Sequence, residues 1–172
     1  MVHAPKRHFV RDDASIDQFD LRILDALQRK GRLTNQELAD IVGLSASQCS
    51  RRRGTLEAKG LIKGYRAEIA AEELGLGVTV FTHVSLSRHN PGNAQRFKDF
   101  VNRMDFVLEA YALTGDFDYL VKMVTPDLKT LSQLINDQLL AHESVENVRS
   151  TIVLDTIKSG ARLPLVWLRP QS

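Results

Sequence analysis

Cysteine is nearly missing from this 172-residue chain, where Cys49 stands alone. One thiol can neither close an intramolecular disulfide nor build a multi-cysteine metal cluster, so the composition points to a reducing compartment. Long apolar runs are missing as well, and none approaches the ~18 residues that cross a bilayer. The opening stretch, Met-Val-His-Ala-Pro-Lys-Arg-His, has no apolar core of the kind a signal peptide needs. The expectation is a cytoplasmic protein with no membrane partner. The histidines (His3, His8, His83, His89 and His142) form no His-x-His or His-x-x-x-His pair, so no metal site is expected. Gly-rich phosphate loops and a serine-nucleophile elbow are absent too, and no cofactor is expected.

What is present is ordinary globular usage, 43% apolar and 26% charged, which excludes a wholly disordered chain. The formal charge is only +2, yet it is unevenly spread. Residues 1–66 hold 13 Lys and Arg against 8 Asp and Glu, whereas residues 67–172 hold 10 against 13. A basic front half with Arg51, Arg52 and Arg53 in succession suits a polyanion partner.

Residues 1–15 read as a loose tail. Asp17 suits the cap of a first helix, with Phe19, Ile23, Leu24 and Leu27 at helical spacing and Gly31 ending it. Thr34 followed by Glu37 is a capping box, which satisfies the free amides at a helix start. That second helix runs to Val42, and Gly43 supplies a tight turn. Ser45 caps a third helix extending to Lys59, stopped by Gly60. Three short helices with a turn of about four residues between the last two describe a helix-turn-helix. Leu61 to Arg66 suits a short strand, or wing, and 67–76 a linker with one helical turn.

The period then changes from helical to two. Val78, Val80, Thr82, Val84 and Leu86 alternate as in a strand, and Pro91-Gly92 breaks it. Ala94, Phe97, Phe100, Val101 and Met104 follow a helical period. Phe106–Leu113 and Phe117–Val124 are strands about a Gly115-Asp116 turn. Leu128, Leu131, Leu134, Ile135 and Leu139 face inward from a second helix, and Val145–Ile157 is a last strand. The order βαββαβ predicts a ferredoxin-like, ACT-like sheet domain over 77–158, with both helices on one face. Apolar residues on the opposite face predict burial against another subunit. The tail 159–172 holds Leu163 to Leu168, too apolar for a free end, and is expected on the sheet or a neighbour. The fold class is α+β: a winged helix-turn-helix over 16–66 followed by that sheet domain.

At about 100° per residue, Ser47, Arg51, Thr55, Gln48 and Arg52 fall at about 0, 40, 80, 100 and 140° around the third helix. Leu56, Cys49 and Arg53 fall at about 180, 200 and 240°. One side is thus polar and basic, and the other packs on the first two helices with Cys49 as a small core residue. Arg and Gln bond base edges, while Ser and Thr suit phosphates. Candidate DNA contacts are Thr34, Ser45, Ser47, Gln48, Ser50, Arg51, Arg52 and Thr55. The same face also suits an ordinary solvated helix; the capped helices, glycine turn, basic face and wing favour DNA in combination.

These residues resemble the Lrp/AsnC, or feast/famine, regulators. The matching stretches are Asp17-Gln-Phe-Asp-Leu-Arg-Ile-Leu, Gly31-Arg-Leu-Thr, Glu37-Leu-Ala, Val42-Gly-Leu-Ser, Leu56-Glu and Gly60-Leu-Ile-Lys-Gly-Tyr65. Tyr111-Ala-Leu-Thr-Gly-Asp-Phe-Asp-Tyr-Leu120 is similar to that family's turn. The resemblance spans about 16–158 in order. It implies a transcriptional regulator that reads a roughly palindromic operator in double-stranded DNA and senses an amino acid or related metabolite. It further implies a homodimer that assembles further, up to an octamer. Two positions depart from the pattern. Arg53 stands where the family usually has an apolar residue, so its charge must snorkel out or find a carboxylate. Gly54 stands mid-helix, at a cost of about 1 kcal/mol relative to alanine.

Within the turn, glycine exposes backbone amides for a carboxylate, and Asp116 or Asp118 suits an ammonium. Gly and Asp also simply make hairpins bend. The candidate effector residues are Tyr111, Thr114, Gly115, Asp116, Phe117 and Asp118, with Tyr111 and Phe117 as apolar walls. An enzyme on the same scaffold is the alternative, since siroheme decarboxylases are similar overall. They require His or Arg groups converging on a porphyrin-sized cleft and no basic reading helix. Arg51 and Arg52 beside Ser47 and Gln48 favour DNA, so no catalytic residue is assigned and no enzyme is expected. The same helix disfavours a ligand-sensing module without DNA.

Overall fold

The computed structural model describes residues 16–87, 92–160 and 162–168. The loose tail of 1–15, His3, His8, His89 and Pro91 lie outside the described residues. The chain divides into two units. One holds the described residues up to Glu68 together with those from Lys158 onward, and the other spans Ile69–Ile157.

The first unit is built on α1 (Gln18–Arg29), α2 (Asn35–Val42) and α3 (Ala46–Ala58). Each begins with a capping box. The Asp17 carboxylate accepts from the Phe19 and Asp20 amides at 2.8 and 2.9 Å, and Asp20 accepts in return from the Asp17 amide. Thr34 pairs with Glu37 in the same way, and Ser45 with Gln48. Thr34 with Glu37 is the one box expected from the sequence; the described residues hold three. Ile23, Leu38, Val42 and Cys49 are fully buried in a core shared by all three helices. Burial pushes the Cys49 thiol up, as fits a packing residue, although nearby Arg52 opposes the shift.

Gly43 turns the chain in the left-handed region at φ 78°, as expected. Gly31 does not: α1 stops because Lys30 is extended at φ −145°, and Gly31 has no positive φ. The expected strand over 61–66 is also absent. Gly60, at φ 68°, folds the chain back so that the Leu61 and Ile62 amides both bond the Leu56 carbonyl, at 3.0 and 3.2 Å. Amides spent on a helix end cannot form a ladder, and the described residues offer no partner strand. The C-terminal tail lies against α1 rather than on the sheet. The Leu163 amide donates to Gln28 Oε1 at 2.6 Å, and Leu165–Leu168 form a 3₁₀ turn. Its apolar side chains stay exposed, Trp167 at 83%.

The second unit follows a 3₁₀ turn at Glu72–Leu74. Its elements are β1 (Val78–Leu86), α4 (Asn93–Val101), β2 (Val107–Ala112), β3 (Tyr119–Thr125), α5 (Leu128–Leu134) and β4 (Val145–Ile152). The strands make one antiparallel sheet in the order β2-β3-β1-β4. Val80, Val84, Val121 and Met123 are buried on the helix side with Phe97, Val101, Leu131 and Leu139. Asn93, not Ala94, is the inward residue at the start of α4; its Nδ2 donates to the Ser87 carbonyl at 2.6 Å. Leu128 points outward, and the turn after α5 widens to π geometry over Ile135–Leu139, which buries Leu139. The last strand ends at Ile152 rather than Ile157, because its partner begins at Val78 and leaves nothing beyond Val153 to pair with. The face away from the helices is mixed rather than apolar. Phe81 and Leu120 lie there with His83, Glu109, Tyr111, Lys122, Arg149 and Thr151, as the cross-strand registers dictate.

Candidate nucleic-acid interface and ligand turn

The three consecutive arginines of α3 go three ways. Arg51 is exposed and makes no ion pair among the described residues. Arg52 turns back toward the start of α1. Its guanidinium meets the Asp17 and Asp20 carboxylates, each at 2.8 Å, and lies 5.6 Å from the centre of the Phe19 ring. The hydrogen bond to Asp20, then that to Asp17, pushes the Arg52 pKa up. Burial alone would raise the Asp17 pKa, but the Asp20 amide and Arg52 outweigh it and the net shift is downward. Arg52, a candidate DNA contact beside Arg51, is thus already paired within the fold. Two carboxylates at the start of α1, those of the cap Asp17 and of Asp20, outcompete solvent for it.

Arg53 finds the carboxylate its position demands. Its Nε donates to Glu57 Oε1 at 3.2 Å and to the Tyr65 hydroxyl at 2.8 Å, and another guanidinium nitrogen donates to the Leu33 carbonyl at 3.1 Å. The guanidinium also stacks 4.6 Å from the centre of the Tyr65 ring. Tyr65 donates in turn to Glu57 at 2.8 Å, which with Arg53 holds that carboxyl below its usual range.

Several polar candidates are partly occupied. Thr34 and Ser45 use their hydroxyls in their capping boxes, and Gln48 Oε1 accepts from both the amide and the hydroxyl of Ser45. Gln48 retains only its amide nitrogen for an outside acceptor. Thr55 bonds back to the Arg51 carbonyl at 3.0 Å. Ser47 and Ser50 are exposed on the same helix, with Ser47 Oγ 3.0 Å from Ser45 Oγ.

In the second unit, Gly115 takes φ 118° in the turn between β2 and β3. Asp118 is committed to the fold. Its carboxylate accepts from the Leu86 amide at 2.7 Å, its own amide donates to the Val84 carbonyl, and its carbonyl accepts from Leu113. Its carboxylate is thus engaged within the fold. Phe117 packs 4.9 Å from the His83 ring, while Thr114, Gly115 and Asp116 stay exposed. Tyr111 donates to Glu109, which Lys122 also pairs at 3.2 Å. Glu109 pushes the Tyr111 phenol up, and Tyr111 with Lys122 holds Glu109 down. A cavity of about 260 Å³ between α4 and β2 touches Tyr111 but none of residues 114–118.

Sequence reading missed the partners of these groups: Asp17 and Asp20 for Arg52, Tyr65 and Glu57 for Arg53, and the Leu86 amide for Asp118. Only Arg53–Glu57, four apart on a helix, was available from spacing. His142 lies 4.2 Å from the Phe100 ring, and burial pushes its pKa down. Among the described residues no His, Cys, Asp and Glu group is arranged to hold a metal, and no helix is long and apolar enough to cross a membrane.

Residues 16–63 match a profile described as winged helix-turn-helix DNA-binding, and residues 79–163 match the Lrp/AsnC ligand binding domain. The chain is 34% identical over 153 residues to a leucine-responsive regulatory protein of Klebsiella pneumoniae, spanning 89% of this chain and 93% of that protein. The chain belongs to the Lrp/AsnC family. Solved Lrp/AsnC-type structures agree. A transcriptional regulator from Neisseria meningitidis in complex with L-Met is 38% identical, with a TM-score of 0.87 over 90% of this chain and 100% of that one. An AsnC family regulator from Agrobacterium tumefaciens is 30% identical, with a TM-score of 0.82 over 89% and 99%. As an Lrp/AsnC protein this is a DNA-binding transcriptional regulator with a ligand-binding domain, and the decarboxylase alternative is not favoured.

Proposed function

We propose that this Lrp/AsnC regulator reads duplex DNA with the outward side of α3 and answers to an amino acid held at the Thr114–Asp118 turn. The observation that carries the first part is the division of labour among the arginines. Of the three arginines of α3, Arg51 is the one that is exposed and makes no ion pair among the described residues, on a helix fixed at its start by Ser45 and Gln48. Arg51 supplies the base-edge contact, with Ser47, Ser50 and the Gln48 amide nitrogen beside it. Thr55 lies on the same side, and Arg52 acts by holding the helix. Thr34 and Ser45 mark helix starts whose amides favour phosphate oxygens. Two such helices in a homodimer would meet successive major grooves, giving a roughly palindromic operator.

The effector class is supported by the L-Met complex of the Neisseria meningitidis relative. Gly115 and the exposed Asp116 supply amides and a carboxylate for the two ends of an amino acid; Phe117 and Tyr111 line its surroundings. A ligand that favours one assembly of dimers, up to an octamer, would alter helix spacing and so operator affinity. The protein acts in the cytoplasm and catalyses no reaction. Genome-wide capture of bound DNA with and without each amino acid tests this reading. The expected result is a palindromic set of sites whose occupancy changes with one amino acid or a related few. Unchanged occupancy throughout would remove the effector, and absence of any site would remove the reading of DNA.

A further inference from the structure

Arg53 and the Tyr65 it holds lie beside a groove that the reading helix does not account for. A groove of about 570 Å³ opens between the loop joining α1 to α2 and the segment beyond Tyr65. Lys30, Arg32 and Arg66 line it, with Glu68 as the acidic residue at its rim. Lys30 is shared with Glu37 at 3.1 Å, whereas Arg32 and Arg66 make no ion pair among the described residues. The walls are tied together. Arg53 bonds the Leu33 carbonyl on one side and the Tyr65 hydroxyl on the other, with its guanidinium against the Tyr65 ring. Tyr65 is further held by Glu57 on α3.

We infer that this groove is a seat for the phosphate backbone of duplex DNA flanking the bases read by α3, and that Arg53 positions it. This rests on the DNA-binding reading of the first unit. Two unpaired guanidiniums on opposite walls suit phosphate oxygens, which arginine binds bidentately. Arg32 lies two residues before Thr34, whose helix start presents further amide donors. The segment 61–66 has no sheet to hold it, so the Arg53 clasp takes the place of a strand pairing. It keeps Arg66 opposite Arg32 and joins both walls to the reading helix.

Salt dependence separates this role from a structural one. Each phosphate neutralised contributes about 0.9 to the slope of log affinity against log salt concentration. The full-length protein is titrated by fluorescence anisotropy against a mixed-sequence duplex between about 50 and 200 mM salt. The double variant Arg32→Ala, Arg66→Ala is expected to lower the slope by about 1.8. Arg53→Leu, which leaves both groove arginines in place, is expected to lower it too, with unchanged far-UV circular dichroism. Arg53→Lys, which cannot span both partners, is not expected to restore it. Lys98→Ala in the other unit leaves the slope alone. A loss of helix alone reduces the active fraction without altering the slope, so misfolding does not imitate the result. A steep wild-type slope that persists in the double variant overturns the groove and leaves the reading helix standing. A wild-type protein with no salt-sensitive binding overturns both.

Discussion

The Arg52 guanidinium sits 2.8 Å from the Asp17 carboxylate, joining α3 to the residue that caps the first helix. The same guanidinium holds Asp20, the other half of that capping box. One side chain thus orients α3 on α1 while leaving the neighbouring Arg51 outward.

Arg52→Ala should therefore act through stability. Losing charged hydrogen bonds to a half-exposed Asp17 and a largely covered Asp20 should cost about 1–2 kcal/mol. Urea titration of the intact protein checks the size. Binding to operator and random DNA should weaken by similar factors. Arg51→Ala should do the reverse, leaving the urea midpoint in place and costing about 1–3 kcal/mol on operator sequence alone. Loss of discrimination at one base pair in the Arg52 variant would return that residue to the DNA.

Acid should weaken the start of α2. The Thr34 backbone hydrogen bond, then Lys30 and the Thr34 hydroxyl, hold the Glu37 carboxyl at about 2 instead of the ordinary 4.5. A group whose folded value is depressed binds more protons when unfolded, so its contribution is present above 4.5 and is lost as pH falls toward 2. Asp17 works in the same sense, from 3.8 downward. Thermal unfolding of wild type and Glu37→Gln across this range should differ at neutral pH and converge in acid. Parallel curves at every pH would show the cap to be independent of charge.

The two aspartates of the turn should separate cleanly. Asp118→Ala strands the Leu86 amide, bonded at 2.7 Å, and should destabilise the sheet unit by about 1–3 kcal/mol. Asp116→Ala touches no such bond and should melt like wild type while losing amino-acid binding in calorimetry. If Asp116→Ala binds normally, the ammonium is held elsewhere.

Gly54→Ala offers a gain instead of a loss. A Cβ there meets nothing within 4 Å, and the residue lies inside α3. Alanine should raise the denaturant midpoint by the equivalent of about 0.5–1 kcal/mol. Weaker operator binding in the stabilised variant would mark the glycine as a source of needed pliability.

Periodicity and capping made most of the architecture legible. Thr34–Glu37 and Ser45 located two helix starts, and the alternation from Val78 to Leu86 located the central strand together with its buried side. These signals are local, and each repeats over one or two turns. The failures came where a long-range partner decides the outcome. Nothing near Arg52 in sequence reveals that Asp17 and Asp20 wait across the fold, and nothing near Asp118 reveals the Leu86 amide. Residues 61–66 have strand composition, but a strand also needs a neighbour, and composition is silent on neighbours. Leu128 and Ala94 failed for a smaller reason: each sits in the first turn of its helix, where the inward stripe has barely begun.

The placement of Trp167 has a practical consequence. It is the chain's single indole, 83% exposed, in the turn that lies against α1. Intrinsic fluorescence excited at the indole band therefore originates wholly from the helical unit. An emission change on adding an amino acid would report an event at the helices, making an optical titration a direct gauge of whether occupancy of the sheet unit is communicated onward.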